Sequence, residues 1–128
     1  MTVVTLLTDF GVKDPFVGMM KGVILSLAPN AHLVDLTHEV PPQSILTGAF
    51  HLKVSYPFFP AHTIHVAVVD PGVGTERRAI AAQSGEFIFL APDNGLLSYV
   101  LEREPKVQCY TLDRSQFHLP RVSRTFHG

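Results

Sequence analysis

Apolar and polar positions along the chain alternate between two spacings. Residues 3–8 (VVTLLT) are a short run of apolar and β-branched side chains that stops at Asp9, the pattern of a buried strand. From Phe16 the spacing changes: Phe16, Met19, Met20, Val23, Ile24 and Leu27 recur every three or four residues, one apolar stripe of a helix. Asp14 can cap the free amides at its start, Pro15 suits the first helical position, and Pro29-Asn30 ends it. Residues 32–36 predict a second strand leading into Thr37-His38. After Pro41-Pro42, the spacing of Ile45, Ala49 and Leu52 predicts a second helix that stops before Pro57. Residues 64–69 predict a third strand, and residues 79–82 and 87–90 two more joined by a turn at Ser84-Gly85. Asp93-Asn94 can cap a short helix carrying Leu97, Val100 and Leu101, and residues 107–112 return to strand. Residues 113–128 have no clear period and read as loop.

Near-continuous apolar strands alternating with helices predict an α/β domain with a mostly parallel sheet and helices on both faces. Ligands of such sheets sit outside the carboxyl ends of the strands. Polar groups gather at those ends here: Thr8-Asp9, Asp35 with Thr37-His38, and Asp70. Three acidic strand ends on one edge serve a site better than they serve packing.

Each candidate also has a plainer reading. Asp9 could be a turn aspartate bonding its own backbone, or a carboxylate accepting two ribose hydroxyls; position alone leaves both open. In VAVVDPGVGTERR (residues 66–78) a strand runs into Asp70, Pro71 and two glycines, and Arg77 follows. No Gly-Lys-Ser/Thr follows, so this is no phosphate loop, and a dinucleotide fingerprint would need a third glycine. Glycines still let a ligand approach the backbone closely. Asp70 and Arg77 could form an ordinary surface ion pair, or could orient a water, the guanidinium favouring hydroxide character. A metal site is not expected: Thr37-His38-Glu39 is followed by Pro42 where a zinc helix needs histidine, and His62 and His65 would point to opposite strand faces. His127 lies in the aperiodic tail, where position alone reads as a solvated residue.

Composition narrows the classes. The 128 residues suffice for one domain with a single core. A net charge of −1 without a basic patch gives nucleic acid no electrostatic footprint. Cys109 is the only cysteine, so an internal disulfide is excluded and a reducing cytoplasm is expected. MTVVTLLTDF has no basic leader, and Lys21, Pro29 and Asp70 interrupt the longest apolar stretches, so neither a signal peptide nor a membrane partner is expected. The chain stops abruptly at RTFHG, as a natural short form or a shortened longer protein would.

The motifs LLTDFG, FVGMMKG, LVDLTH, VVDPGVGTERR, APDNG and RTFHG occur in order across essentially the whole chain. Together they resemble the S-adenosyl-L-methionine hydrolase (adenosine-forming) family, also called SAM hydroxide adenosyltransferases, relatives of fluorinase and chlorinase. The resemblance implies a Rossmann-like N-terminal domain over residues 1–128, and water or hydroxide attack on the 5′ carbon of S-adenosylmethionine to give adenosine and methionine. By motif it implies Asp70, Arg77 and His127 as the catalytic set and Asp9, with Asp70, as substrate-binding. The halogenating relatives lack that aspartate–arginine–histidine set, which puts this chain on the hydroxide side. No metal and no cofactor are implied. Family members carry a second, β-rich domain after TFHG and form homotrimers, with substrate between the first domain of one subunit and the second domain of its neighbour; by the resemblance, residues 1–128 are expected to correspond to the first domain alone, without the second. Two other classes compete: a module that holds adenosine or S-adenosylmethionine without turnover, and a metal-dependent nucleotide hydrolase.

Overall fold

The computed structural model describes residues 1–71 and 78–113. Six strands form one mixed sheet: β1 (Thr2–Thr8), β2 (Ala31–Thr37), β3 (Ile64–Val68), β4 (Ala79–Gln83), β5 (Ile88–Pro92) and β6 (Gln108–Thr111). Three helices are interleaved, α1 (Phe16–Leu27), α2 (Ile45–Ser55) and α3 (Ser98–Arg103), with a 3₁₀ turn at Tyr56–Phe58 extending α2. The strand order is β2-β1-β3-β5-β4-β6. β1 pairs parallel with β2 and β3, and β3 with β5; β4 runs antiparallel to both β5 and β6.

The strongest apolar run becomes the middle of the parallel part. Val4 to Thr8 of β1 are buried at every position, as expected for a strand covered on both sides. From β1 the chain crosses through α1 to β2 on one flank, then returns through α2 to β3 on the other. Right-handed crossovers in opposite directions put α1 and α2 on opposite faces. Coverage of the two faces is unequal. Leu7, Ala67, Val69, Ala82, Phe87 and Phe89 form one core with Ala49 and Leu52 of α2, Tyr56, and Val100 of α3. On the other face α1 reaches the β1–β2 side, while alternate residues of β3 and β5 stay half-buried. The predicted stripe on α1 is accordingly only partly used: Val17 is buried, Met20, Val23 and Ile24 are half-buried, and Phe16, Met19 and Leu27 are exposed.

Two local departures place polar groups. The β1–β2 register passes from Leu6↔Asp35 to Leu7↔Thr37, so Leu36 is an extra residue, a bulge at the carboxyl end of β2. At Gly48 of α2, a Cβ would lie 3.1 Å from Val69 Cγ2 and 2.9 Å from Leu96 Cδ1. The helix therefore passes close beneath the end of β3.

Candidate active site at the carboxyl edge

β1 and β3 are neighbours whose connections leave in opposite directions, which makes the gap between their carboxyl ends the switch point of the sheet. Thr8 pairs with Val68 there, so Asp9 leaves the sheet one residue past β1 and Asp70 two residues past β3. The structure thus brings together the two acidic strand ends that the sequence singles out on these strands. Both are half-buried. Arg77 and His127 lie outside the described residues.

Asp9 is held from the loop before α2. Its Oδ2 accepts the Gln43 N–H at 2.7 Å, although the two residues are 34 apart in sequence. A carboxylate has about four acceptor positions, so this bond leaves room for two ligand hydroxyls. The turn-aspartate alternative expects a bond within its own loop, and the bond formed goes instead to a different segment.

Asp70 is set by a residue the sequence suggests only as a helix cap. Asn94 Nδ2 donates to the Val69 carbonyl at 2.9 Å, and Asn94 Oδ1 accepts the Leu96 N–H at 3.1 Å. Beside it, the Asp93 N–H donates to the Arg78 carbonyl at 2.7 Å, and Arg78 Nη2 donates to Asp93 Oδ2 at 3.2 Å. The turn after β5 therefore grips Val69 and Arg78, on the two sides of residues 72–77. The anticipated cap is displaced: α3 begins only at Ser98, preceded by Leu97, because Asp93 and Asn94 are spent on this bridge.

A polar chain runs inward from β2. Lys21 Nζ donates to Asp35 Oδ2 at 2.8 Å, Asp35 Oδ1 lies 2.7 Å from His38 Nε2, and His38 Nδ1 lies 2.8 Å from Thr8 Oγ1. Residues three apart on a regular strand face opposite ways; the bulge at Leu36 and the strand end at Thr37 let Asp35 and His38 meet. Burial pushes the Asp35 pKa up, but the hydrogen bonds and charges of Lys21 and His38 outweigh it and leave it lowered. Sequence reasoning places Asp35 and His38 at the edge without joining them, since Thr8 and Lys21 come from other elements. Among the described residues, no group of three or more His, Cys, Asp or Glu side chains is placed to hold a metal ion. His62 precedes β3 rather than sitting on it, and His65 is fully buried in the core.

A depression of about 300 Å³, lined by Lys53, Tyr99, Glu102 and Arg103, lies between α2 and α3. Lys53 belongs to the last turn of a helix that runs back against the strands, so this depression faces the amino edge, away from Asp9 and Asp70.

The chain is similar to several known proteins. The SAM hydroxide adenosyltransferase N-terminal domain model matches residues 4–128. An (R)-S-adenosyl-L-methionine hydrolase of Salinispora arenicola is 45% identical over 122 residues, 94% of this chain and 46% of that protein. A fluorinase of an Actinoplanes species is 25% identical over 149 residues, covering 98% of this chain and 50% of its own. Among solved structures, an uncharacterised conserved protein from Thermotoga maritima superposes with a TM-score of 0.91 at 36% identity, over 96% of this chain and 48% of that one. The chain spans about half the length of the curated relatives it matches.

Proposed function

The chain belongs to the SAM hydroxide adenosyltransferase family, and from that premise we propose that the protein hydrolyses S-adenosyl-L-methionine to adenosine and L-methionine. The observation that carries the reading is the pair of carboxylates, Asp9 and Asp70, leaving adjacent parallel strands at the switch point. Relatives named as (R)-S-adenosyl-L-methionine hydrolases over this same stretch support the choice of substrate.

In the proposed reaction a water oxygen bonds to the 5′ carbon as the C5′–S bond breaks. The bonding pair leaves with sulfur, turning a sulfonium cation into the neutral thioether of methionine. A neutral leaving group needs no proton, so no general acid is required on that side. What the protein must supply is a nucleophile held in line and largely stripped of bulk water. Asp70 accepts a proton of the water, His127 polarises it with Asp70, and Arg77 stabilises hydroxide character. Asp9 takes the ribose hydroxyls. The residues fit a reaction that uses no metal or cofactor.

The proposal extends to the assembly and its setting: in the full-length form, a homotrimer in which substrate lies between subunits, in the cytoplasm. Exposed apolar side chains on α2 support an assembled state, and Cys109, exposed and unpaired in a disulfide, suits a reducing compartment.

Chromatography of products tests the reaction directly. S-adenosylmethionine incubated with the protein after chelator treatment should yield adenosine and methionine in equal amounts. Formation of S-adenosylhomocysteine, or strict dependence on zinc, would sink the proposal. Calorimetric binding without product would favour a holding module over an enzyme.

A further inference from the structure

The hydrogen-bonded chain from Lys21 to Thr8 ends on the backbone that carries Asp9. Thr8 Oγ1 accepts the Phe10 N–H at 3.1 Å. Thr8 and His38 are almost wholly buried, at 0% and 5% exposure. An ionised carboxylate can only accept, so the bond to Asp35 places a proton on His38 Nε2. In the neutral ring Nδ1 is then an acceptor, and the Thr8 hydroxyl donates to it. Every polar atom along the chain has a partner of the right kind.

The main chain of His38 acts on the same loop. Its carbonyl accepts the Gly11 N–H at 2.7 Å, with Gly11 at φ 73, a left-handed conformation that glycine adopts without steric cost. Asp9 is therefore bracketed by one residue, through the ring at Thr8 and the carbonyl at Gly11. The segment that follows His38 returns to Asp9 through the Gln43 N–H.

A half-buried His–Asp pair could simply help β2 adhere to β1. Its location argues otherwise. The β1–β2 ladder is already registered from Thr2 to Leu7. The His38 contacts begin where that ladder ends, at Thr8, and reach Gly11. They order the residues around Asp9.

We propose that His38 is a positioning residue for the Asp9 carboxylate, its ring locked by Asp35 and Lys21 so that loop 8–11 presents Asp9 to a ribose diol at the switch point. The ribose half rests on the function proposed above; the positioning half stands without it.

Two conservative replacements divide the ring's contacts. The side-chain amide of His38→Asn reaches the Nδ1 position and keeps Thr8 while losing Asp35. That of His38→Gln reaches the Nε2 position and keeps Asp35 while losing Thr8. Amide hydrogen exchange of the full chain, without ligand, reads the bond from Gln43 to Asp9. Protection at Gln43 and Gly11 should fall about tenfold in His38→Gln and stay near wild type in His38→Asn. Unchanged protection in both variants overturns the proposal. So does an equal fall throughout β1, β2 and β3, which would make His38 a general stabiliser. If neither variant folds, Thr8→Val, which removes the hydroxyl linking the His38 ring to the Phe10 N–H, is the substitute, and unchanged Gln43 protection there overturns the proposal as well.

A second arm compares S-adenosylmethionine with its 2′-deoxy analogue by calorimetry. Wild type should prefer the ribose about tenfold, as loss of a bond to a charged partner implies. His38→Gln should shrink the preference to about twofold, and His38→Asn should restore it. Indifference of the wild type to the 2′-hydroxyl overturns the ribose half, and the exchange arm then decides the positioning half alone.

Discussion

His65 packs among Tyr56, Phe59, Phe87 and Phe89, with its ring stacked on Phe89 at 5.2 Å between centroids. The Thr5 hydroxyl is 2.6 Å from Nδ1, and Nε2 has no hydrogen-bond partner among the described residues. Burial alone pushes the pKa down to about 4. The unfolded chain titrates near 6.5, so below that pH it binds a proton the native state refuses. The neutral-ring contribution is fully present above pH 6.5 and is lost as pH falls toward 4, a total of about 3 kcal/mol. Urea unfolding at pH 7 and pH 4.5 should therefore show a stability loss that shrinks by about 2 kcal/mol in the double variant His65→Leu, Thr5→Val. Identical losses in both proteins would assign the acid sensitivity elsewhere. At the same scale, Asp70→Ala should lower turnover by about 10² to 10⁴-fold while substrate still binds, as expected for a group that takes a proton from the nucleophile. Loss of folding, with no soluble protein, would make Asp70 a structural residue of the turn. Asp9 and Asp70 are legible in the sequence because each ends an apolar run. The side-chain contacts of His38 and His65 are not, because their partners Thr8 and Thr5 lie 30 and 60 residues away and only the sheet brings them close.

Elements were readable where a single period dominates. β1, α2 and β3 appear within a residue or two of their expected bounds, since Pro57 and the acidic strand ends punctuate them clearly. Pairing direction was harder. The hairpin of β4 and β5 follows from a turn in which Ser84 accepts the Phe87 N–H at 3.0 Å, and β6 then adds to β4 at a distance no local pattern encodes. The bulge at Leu36 is also silent in the sequence, since it depends on the register against β1. The turn after β5 offers the sharpest test at this scale. Asn94→Ala removes the donor to the buried Val69 carbonyl and the acceptor for Leu96 N–H, leaving buried backbone groups unpaired. Such a loss costs about 1–3 kcal/mol. Denaturant unfolding should register it, and turnover should fall further than substrate affinity because Asp70 follows Val69 directly. A variant as stable as wild type with unchanged kcat would mean that the bridge holds neither.

The distribution of apolar surface belongs to the whole molecule. Leu46, Phe50 and Val54 stand four residues apart on α2, so they share one side of the helix, and all three are exposed. Phe58, on the 3₁₀ turn that continues α2, is 87% exposed. The core side of the same helix is carried by Gly48, Ala49 and Leu52, so α2 is apolar on two sides. A surface helix facing only water has polar residues opposite its core stripe. Contiguous apolar surface of this kind marks an interaction site. The proposed homotrimer gives it an occupant, another copy of the same chain. Introducing charge there should break the assembly and spare the fold, because these side chains make no part of the core. Phe50→Glu combined with Leu46→Glu would place two carboxylates in an apolar contact, where an unpaired charge costs several kcal/mol per ion. Light scattering after gel filtration should then show the mass fall from three copies to one, with circular dichroism unchanged. Turnover should fall with it, since the proposed site lies between subunits. A trimer that survives both substitutions would move the contact to another surface, and a wild type that is monomeric at every concentration would remove the shared site altogether.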